Sequence, residues 1–91
     1  MAWMETIRIS FGRGKQGIDD VEVLQALEAQ LTSASSLEWE MYRNPVVRED
    51  WLIVLRWKGD PPSALESNMA QVLVRELKRY GLVDHAVWSN S

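Results

Sequence analysis

The chain has 91 residues, 46% of them hydrophobic and 25% charged, with a formal net charge of −3. This composition predicts a single small domain spanning 1–91, with its core at about 5–89, and excludes a disordered chain. The slight negative charge argues against nucleic-acid binding, and one histidine without any cysteine excludes disulfides, thiolate sites and multi-histidine metal sites within one chain.

The first half of the chain predicts a strand, a helix and a second strand. Residues 6–11 alternate between apolar and polar side chains, as in a strand with one buried face. Three glycines within residues 12–17 then predict a loop. Asp19 and Glu22 have capping-box spacing, and the helix predicted over 20–31 carries an apolar stripe of Val23, Leu24, Leu27 and Leu31. Residues 37–43 alternate again and predict the second strand.

Residues 51–58 predict a third strand, and its two faces decide the architecture. One face is wholly apolar and consists of Trp51, Ile53, Leu55 and Trp57. The other begins with Leu52 and Val54 and ends with Arg56 and Lys58. A strand with apolar residues on both faces is usually covered on both. We therefore expect a central strand with helices on one side and another layer on the other, although alternation leaves open which face meets the helices.

The last third predicts a helix and a closing strand. Ser63 and Glu66 form a second capping box, and an apolar stripe follows with Leu65, Met69, Val72, Leu73, Leu77 and Tyr80. Gly81 is the expected residue just after the helix, and 82–88 is the last strand. The order β-α-β-β-α-β predicts a ferredoxin-like α+β sandwich, a four-stranded antiparallel sheet with two helices on one face.

The sheet face away from the helices keeps apolar side chains. We expect Leu52, Val54 and Ala86 to lie in the interface of a homodimer, because a second copy is the simplest cover for such a face. No apolar run approaches the ~20 residues that span a bilayer. The first residues lack a signal-peptide pattern, so we expect a cytoplasmic protein without a membrane partner.

The length, the element order and the two-faced strand resemble the dimeric α+β barrel proteins, and among them the antibiotic-biosynthesis-monooxygenase-like domains. The similar segments are the run Ile53-Val54-Leu55-Arg56-Trp57 and the last strand at 82–88. The resemblance is one of layout over about 5–89. It implies a homodimer with face-to-face sheets and a small cavity between each sheet and its helices. In the enzymes of the group, that cavity oxidises aromatic polyketides without a cofactor or degrades haem.

Tryptophan and histidine supply the candidate site residues. Trp39, Trp51, Trp57 and Trp88 fall in predicted strands, and flat side chains with a polar tip suit a pocket for an aromatic molecule. We expect Trp39, Trp57, Trp88 and Tyr42 to bind the substrate, with Trp57 and Trp88 holding its ring. His85 is the candidate catalytic base. The alternative is that the tryptophans are core and interface residues and that His85 is a hydrogen-bonded histidine beside the sheet.

These observations favour a small-molecule-binding dimeric α+β barrel protein, with a cofactor-independent monooxygenase of an aromatic substrate as its enzymatic form. The alternative is a non-catalytic oligomerisation or regulatory module. An enzyme needs a cavity of a few hundred Å³ with His85 on its wall. In a module, leucine and tryptophan side chains would fill that space. Neither interpretation requires a cofactor or a metal ion.

Overall fold

All six predicted elements are present in the computed structural model, which describes residues 2–11, 20–33, 37–59 and 66–90. Their bounds are β1 (Ala2–Phe11), α1 (Asp20–Thr32), β2 (Glu38–Arg43), β3 (Asp50–Lys58), α2 (Asn68–Leu77) and β4 (Gly81–Ser89). The four strands form one antiparallel sheet in the order β2-β3-β1-β4. The predicted ferredoxin-like α+β fold is confirmed. Neither described helix is long and apolar enough to cross a membrane.

β1 is longer than its sequence pattern predicts. It begins at Ala2 rather than at Thr6, and its first half pairs with both β3 and β4. The inward-facing positions of this half are Trp3 and Glu5, and both are buried. A glutamate at an inward position interrupts the apolar alternation on which the prediction rested, so the pattern identified only the second half of the strand.

Strand register decides which face of β3 meets the helices. Ile53 pairs with Ile7, and both are fully buried in the core. The apolar face of β3 therefore packs against the helices, in a core formed by Ile7, Ile9, Phe11, Leu24, Leu27, Leu31, Ile53, Leu55, Ala70, Leu73 and Leu77. Leu52, Val54 and Ala86 point to the opposite side of the sheet, which we call the open face.

The open face differs from the expected apolar patch. Val54 is only 6% exposed in the single chain, where it lies between its cross-strand neighbours Thr6 and Glu40. The large exposed groups on this face are Leu82 and Trp88 in β4 and Tyr42 in β2, at 80%, 54% and 51%. The most exposed apolar side chains therefore lie on the two outer strands, whereas Val54 is covered by its own chain and Leu52 and Ala86 are partly exposed.

α2 begins later than its predicted capping box. Its N-cap is Ser67, whose hydroxyl accepts the N–H of Ala70 at 3.0 Å. The start predicted at Ser63 is therefore wrong. Several other residues named in the predictions lie outside the described residues, and so does Ser63 itself: Leu65, Asp19 and the loop at 12–17. The predicted stripe is correct at Leu73 and Leu77 and wrong at Val72, which is 47% exposed. Ala70 is the buried residue that completes the stripe.

Gly81 is not the residue that ends α2, because Lys78 caps the helix and Gly81 is the first residue of β4. It pairs with Phe11, and a Cβ atom at this position would overlap the backbone carbonyl of Ser10.

We expect Gly81→Ala to lower the free energy of unfolding by about 1–3 kcal/mol, as overpacking does. Urea unfolding measures this change. Gly59→Asn is the comparison, because that position has open space and a positive φ, so its cost is backbone strain without an overlap. A loss at Gly81 no larger than the loss at Gly59 would contradict the overlap.

Asp50 forms a charged cluster at the start of β3, on the open face. Its carboxylate accepts hydrogen bonds from the Ser10 hydroxyl and from the Arg8 guanidinium, both at 2.6 Å. The Ser10 bond first, and the Arg8 bond next, hold the pKa of Asp50 below its ordinary value. The same bond to Asp50 raises the pKa of Arg8. Because the folded-state pKa of Asp50 is depressed, its stabilisation is complete above the unfolded value of about 3.9 and is lost as the pH falls through the folded value.

We therefore expect Asp50→Asn to be less stable than the wild type at pH 7 and to lose less stability on acidification. Chemical unfolding at pH 7, 4 and 2.5 measures both effects. Asp84→Asn is the control, because Asp84 lies on the same face beside Arg8 without a hydrogen bond to Ser10. Parallel stability curves for Asp50→Asn and the wild type would contradict the assignment.

Candidate functional site

A buried carboxylate is the most unusual polar group in the described part of the chain. Glu5 lies in β1 on the helix side of the sheet and has no exposed surface. Burying a carboxylate is costly unless hydrogen-bond donors surround it. Here Oε1 accepts the indole N–H of Trp57 at 2.8 Å, and Oε2 accepts the backbone N–H of Ser67 at 3.0 Å. Nε2 of His85 lies 2.7 Å from Oε2. Both carboxylate oxygens are therefore satisfied.

Strand register brings these groups together. Glu5 pairs with Leu55 in β3 and with Val87 in β4. Trp57 and His85 each lie two residues from those partners, so they project from the same face toward Glu5. Ser67 closes the site from above, since it is the N-cap of α2. Three strands and one helix terminus thus meet at one carboxylate.

The hydrogen bond to Glu5 fixes the chemistry of His85. Oε2 of Glu5 also accepts the Ser67 N–H, so an ionised Glu5 takes Nε2 of His85 as a donor. In the neutral tautomer with its proton on Nε2, the lone pair is on Nδ1. It lies 3.9 Å from Oε2 of Glu66, which is beyond hydrogen-bond distance, and the His85 side chain is 15% exposed. An oriented imidazole with an accessible lone pair can accept a proton, and Glu5 would stabilise the resulting cation.

A cleft of about 820 Å³ opens at the end of the sheet where β1 begins and β3 and β4 end. Trp3 and Trp57 stack in its wall, with ring centroids 5.6 Å apart and ring planes 19° apart. Trp88 lines the cleft from the open face, and Lys58 lies at its rim. Trp57 therefore belongs to both structures: its ring borders the cleft and its N–H reaches Glu5.

The predicted site residues divide into separate groups. Trp57 and His85 are joined through Glu5 on the helix side. Trp88 shares the cleft with Trp57 from the opposite face, where its indole N–H donates to the Thr6 hydroxyl at 3.1 Å. Among the described residues, His85 lines neither this cleft nor a smaller one of about 290 Å³ at the other end of the sheet. The structure thus matches the expectation of a hydrogen-bonded histidine beside the sheet.

The remaining tryptophans and Tyr42 lie away from the cleft. Trp39 packs against the core from the helix side of β2. Trp51 in β3 also packs against the core, and the Arg43 guanidinium lies 4.9 Å from its ring centroid. Tyr42 lies on the open face, donates a hydrogen bond to Glu40 and borders the smaller cleft. Of the four residues expected to bind the substrate, Trp57 and Trp88 line one cleft, whereas Trp39 and Tyr42 do not line it.

Sequence reasoning missed Glu5, the residue that organises the buried network. The sequence contained a signal for it. The inward positions of β1 are 3, 5, 7, 9 and 11; four of them are apolar, and Glu5 is the charged residue among them. The backbone N–H of Ser67 left no such signal, because a main-chain donor has no residue-type signature.

Comparison with known proteins does not identify a family for this chain. No protein-family model matches the chain, and the search of curated proteins finds no match. Among solved structures, the chain is similar to a formyltetrahydrofolate deformylase from Pseudomonas putida KT2440, with 11% sequence identity and a TM-score of 0.47. The match covers 98% of this chain and 29% of that chain, so this chain spans under a third of that enzyme's length. This similarity supports no statement about function, and the resemblance to antibiotic-biosynthesis-monooxygenase-like domains is not confirmed.

Proposed function

We propose that the protein binds a small, flat aromatic molecule in the cleft at the end of the sheet, and that it does so as a homodimer. The observation that carries the proposal is the set of three tryptophans, Trp3, Trp57 and Trp88, around a cleft of about 820 Å³. Ligand pockets commonly measure about 300–1,000 Å³ and combine aromatic walls with a few polar groups. Lys58 and Arg56 supply cationic groups at the rim and Glu38 an anionic one.

Trp88 is the side chain that a bound ring would contact most readily. It is 54% exposed, whereas Trp3 is only 7% exposed and forms the floor behind Trp57. Trp57 and Trp88 lie on opposite faces of the sheet, so a ring would contact both at the end of the sheet, where the cleft opens. Its contact with Trp57 would also place the ligand one residue from the buried Glu5.

Binding is tested with 1-naphthol as the probe, monitored through the five tryptophan indole N–H signals in NMR spectra. We expect the signals of Trp57 and Trp88 to shift, while that of Trp51, which is absent from the cleft wall, stays unchanged. Trp88→Ala should weaken binding about two- to tenfold through loss of one aromatic contact.

Tyr42→Ala is the matched control, because Tyr42 is an aromatic residue on the same face with nearly the same exposure, 51% against 54%. It should leave naphthol affinity unchanged. Equal losses in the two variants would refute the cleft as the binding site. No binding by the wild type would favour the alternative of an oligomerisation or regulatory module.

A second candidate function is cofactor-independent oxidation of an aromatic substrate, as in the monooxygenases that the chain resembles. One observation favours it: Nε2 of His85 lies 2.7 Å from the buried Glu5, which orients the imidazole as a carboxylate orients a catalytic base, although His85 lines neither described cleft. In this mechanism His85 takes a proton from an activated methylene of the substrate, and the carbanion gives an electron to O₂. Recombination forms a C–O bond. The peroxide anion takes the proton back from His85, and the hydroperoxide loses water, so one oxygen atom becomes a carbonyl and the other leaves as H₂O.

A further inference from the structure

We infer that the homodimer forms along the outer edge of β4, where residues 82–88 of two copies pair in antiparallel register about His85. This inference rests on the proposed homodimer and names its surface. The partner is a second copy of the same chain. Its main competitor is the expected face-to-face packing through Leu52, Val54 and Ala86.

The edge of β4 offers backbone groups for pairing. β4 is an outer strand of the sheet, and Asn90 donates its N–H to the carbonyl of Ala2 at 3.3 Å. Hydrogen-bonded and non-hydrogen-bonded pairs alternate along an antiparallel ladder. The even-numbered residues of β4 therefore direct their N–H and C=O groups to β1, and Val83, His85 and Val87 direct theirs outward. No described residue bonds to these outward groups.

The register of the pairing follows from the bounds of the strand. His85 is the middle residue of β4, so a two-fold axis at this residue gives the longest overlap of 82–88 with the same residues of the copy. In that register Val83 lies opposite Val87 of the partner subunit, and their outward backbone groups match. It also places Leu82 opposite Trp88 of the partner subunit, as a non-hydrogen-bonded pair whose Cα atoms are about 4.5 Å apart.

This pairing covers the two most exposed apolar side chains of the strand. Leu82 is 80% exposed and Trp88 is 54% exposed in the single chain. The contact occurs twice in the dimer, because the axis repeats it. Leu82 of the partner subunit would pack on Trp88 at the rim of the cleft, so the dimer would complete the wall of the proposed ligand site.

Charges permit the pairing. Asp84 lies opposite Ala86 of the partner subunit in this register, so no two carboxylates face each other directly. Within each copy, Arg8 is the cross-strand neighbour of Asp84 in β1 and offsets its charge. Like charges directly opposite would have been destabilising.

The two outer strands of the sheet differ in how they protect their edges. β2 has six residues, and three of them are charged: Glu38, Glu40 and Arg43. Charges and short length are common devices against edge pairing. β4 has nine residues, no proline and an unbroken register with β1, so it lacks proline and bulges as protection. The open face offers less reason to pair, since Val54 at its centre is already covered by its own chain.

Disulfide cross-linking tests the register, because the chain contains no cysteine. Leu82→Cys combined with Trp88→Cys places the two thiols opposite each other between copies, at a distance that a disulfide can span. Within one chain the two positions are six residues apart along the strand, roughly 20 Å, so they cannot cross-link. We expect covalent dimers on mild oxidation. Leu82→Cys combined with Ala86→Cys is the matched control. Its second cysteine is shifted by two residues along β4, so this variant should give few covalent dimers.

Two single variants distinguish dimerisation along the edge of β4 from dimerisation through the open face. Val83→Pro removes an outward N–H without affecting a bond to β1 and should convert the dimer to a monomer in sedimentation equilibrium. Leu52→Lys changes the open face alone and should leave the dimer intact. Circular dichroism checks that both variants fold. A wild-type monomer, equal cross-linking in both cysteine pairs, or a dimer lost in Leu52→Lys but kept in Val83→Pro would overturn the inference.

Binding of 1-naphthol is measured on the same variants. Monomeric Val83→Pro that still binds naphthol, beside a wild-type dimer, supports edge pairing and shows that the cleft functions in each copy. A dimer that binds no naphthol refutes the proposed ligand and leaves the edge pairing supported.

Discussion

Replacing Glu5 with alanine is expected to destabilise the protein by about 3–5 kcal/mol, the range seen when one member of a buried charged group is removed. The substitution leaves the indole N–H of Trp57, the backbone N–H of Ser67 and the imidazole of His85 without their acceptor. Each buried unsatisfied group costs about 1–3 kcal/mol. The side chain also has no exposed surface, so its removal leaves a cavity in the core.

Urea unfolding of Glu5→Ala and of Glu40→Ala provides the measurement and its matched control. Glu40 is also a strand glutamate with a charged partner, Arg56 at 2.8 Å, but its side chain is 40% exposed. An exposed ion pair of this kind contributes about 0–1 kcal/mol. We expect the stability loss of Glu5→Gln to fall between those of Glu5→Ala and Glu40→Ala. The amide keeps one oxygen as an acceptor but replaces the other with an NH₂ group, which would face N–H donors. Equal losses in Glu5→Ala and Glu40→Ala would show that the network contributes no special stability.

The periodic parts of this fold were predictable because burial leaves a repeating signal in the sequence. Alternation in 51–58 identified β3 and both of its faces, and register with β1 then decided that Ile53 faces the helices. Alternation could not show that Thr6 and Glu40 cover Val54. That covering depends on neighbours from two other strands, and these are set by pairing rather than by local sequence.

The candidate site was predictable only in part, since its central residue contradicts the local pattern. His85 and Trp57 were identified from residue type, but their shared partner is a carboxylate in a strand that otherwise alternates apolar residues inward. The start of α2 was misplaced for a related reason. Ser63 and Glu66 are three residues apart, and so are Ser67 and Ala70, which make the actual cap contact. Sequence spacing alone therefore did not choose between the two serines.

The network also explains why an alanine substitution is a poor test of His85. His85→Ala would remove a partner of the buried Glu5, so lost activity could follow from lost structure. His85→Gln is the sharper variant, because its terminal amide can still donate to Glu5 while it offers no basic nitrogen. We expect His85→Gln to retain most of the stability that Glu5→Ala loses.

If His85 is a catalytic base, His85→Gln should lower the rate of oxygen uptake with an anthrone probe by about 10²–10⁴-fold, the usual contribution of general-base catalysis. The measurement uses an oxygen electrode with 1,8-dihydroxyanthrone, corrected for its spontaneous oxidation. Tyr42→Phe is the control, because it removes a hydroxyl on the opposite face of the sheet and should leave the rate unchanged. A folded His85→Gln variant with the wild-type rate would exclude His85 as the base. A wild-type chain that consumes no oxygen beyond the spontaneous rate would refute oxidation of this probe and would leave ring binding in the cleft as a separate question, because His85 does not line that cleft among the described residues.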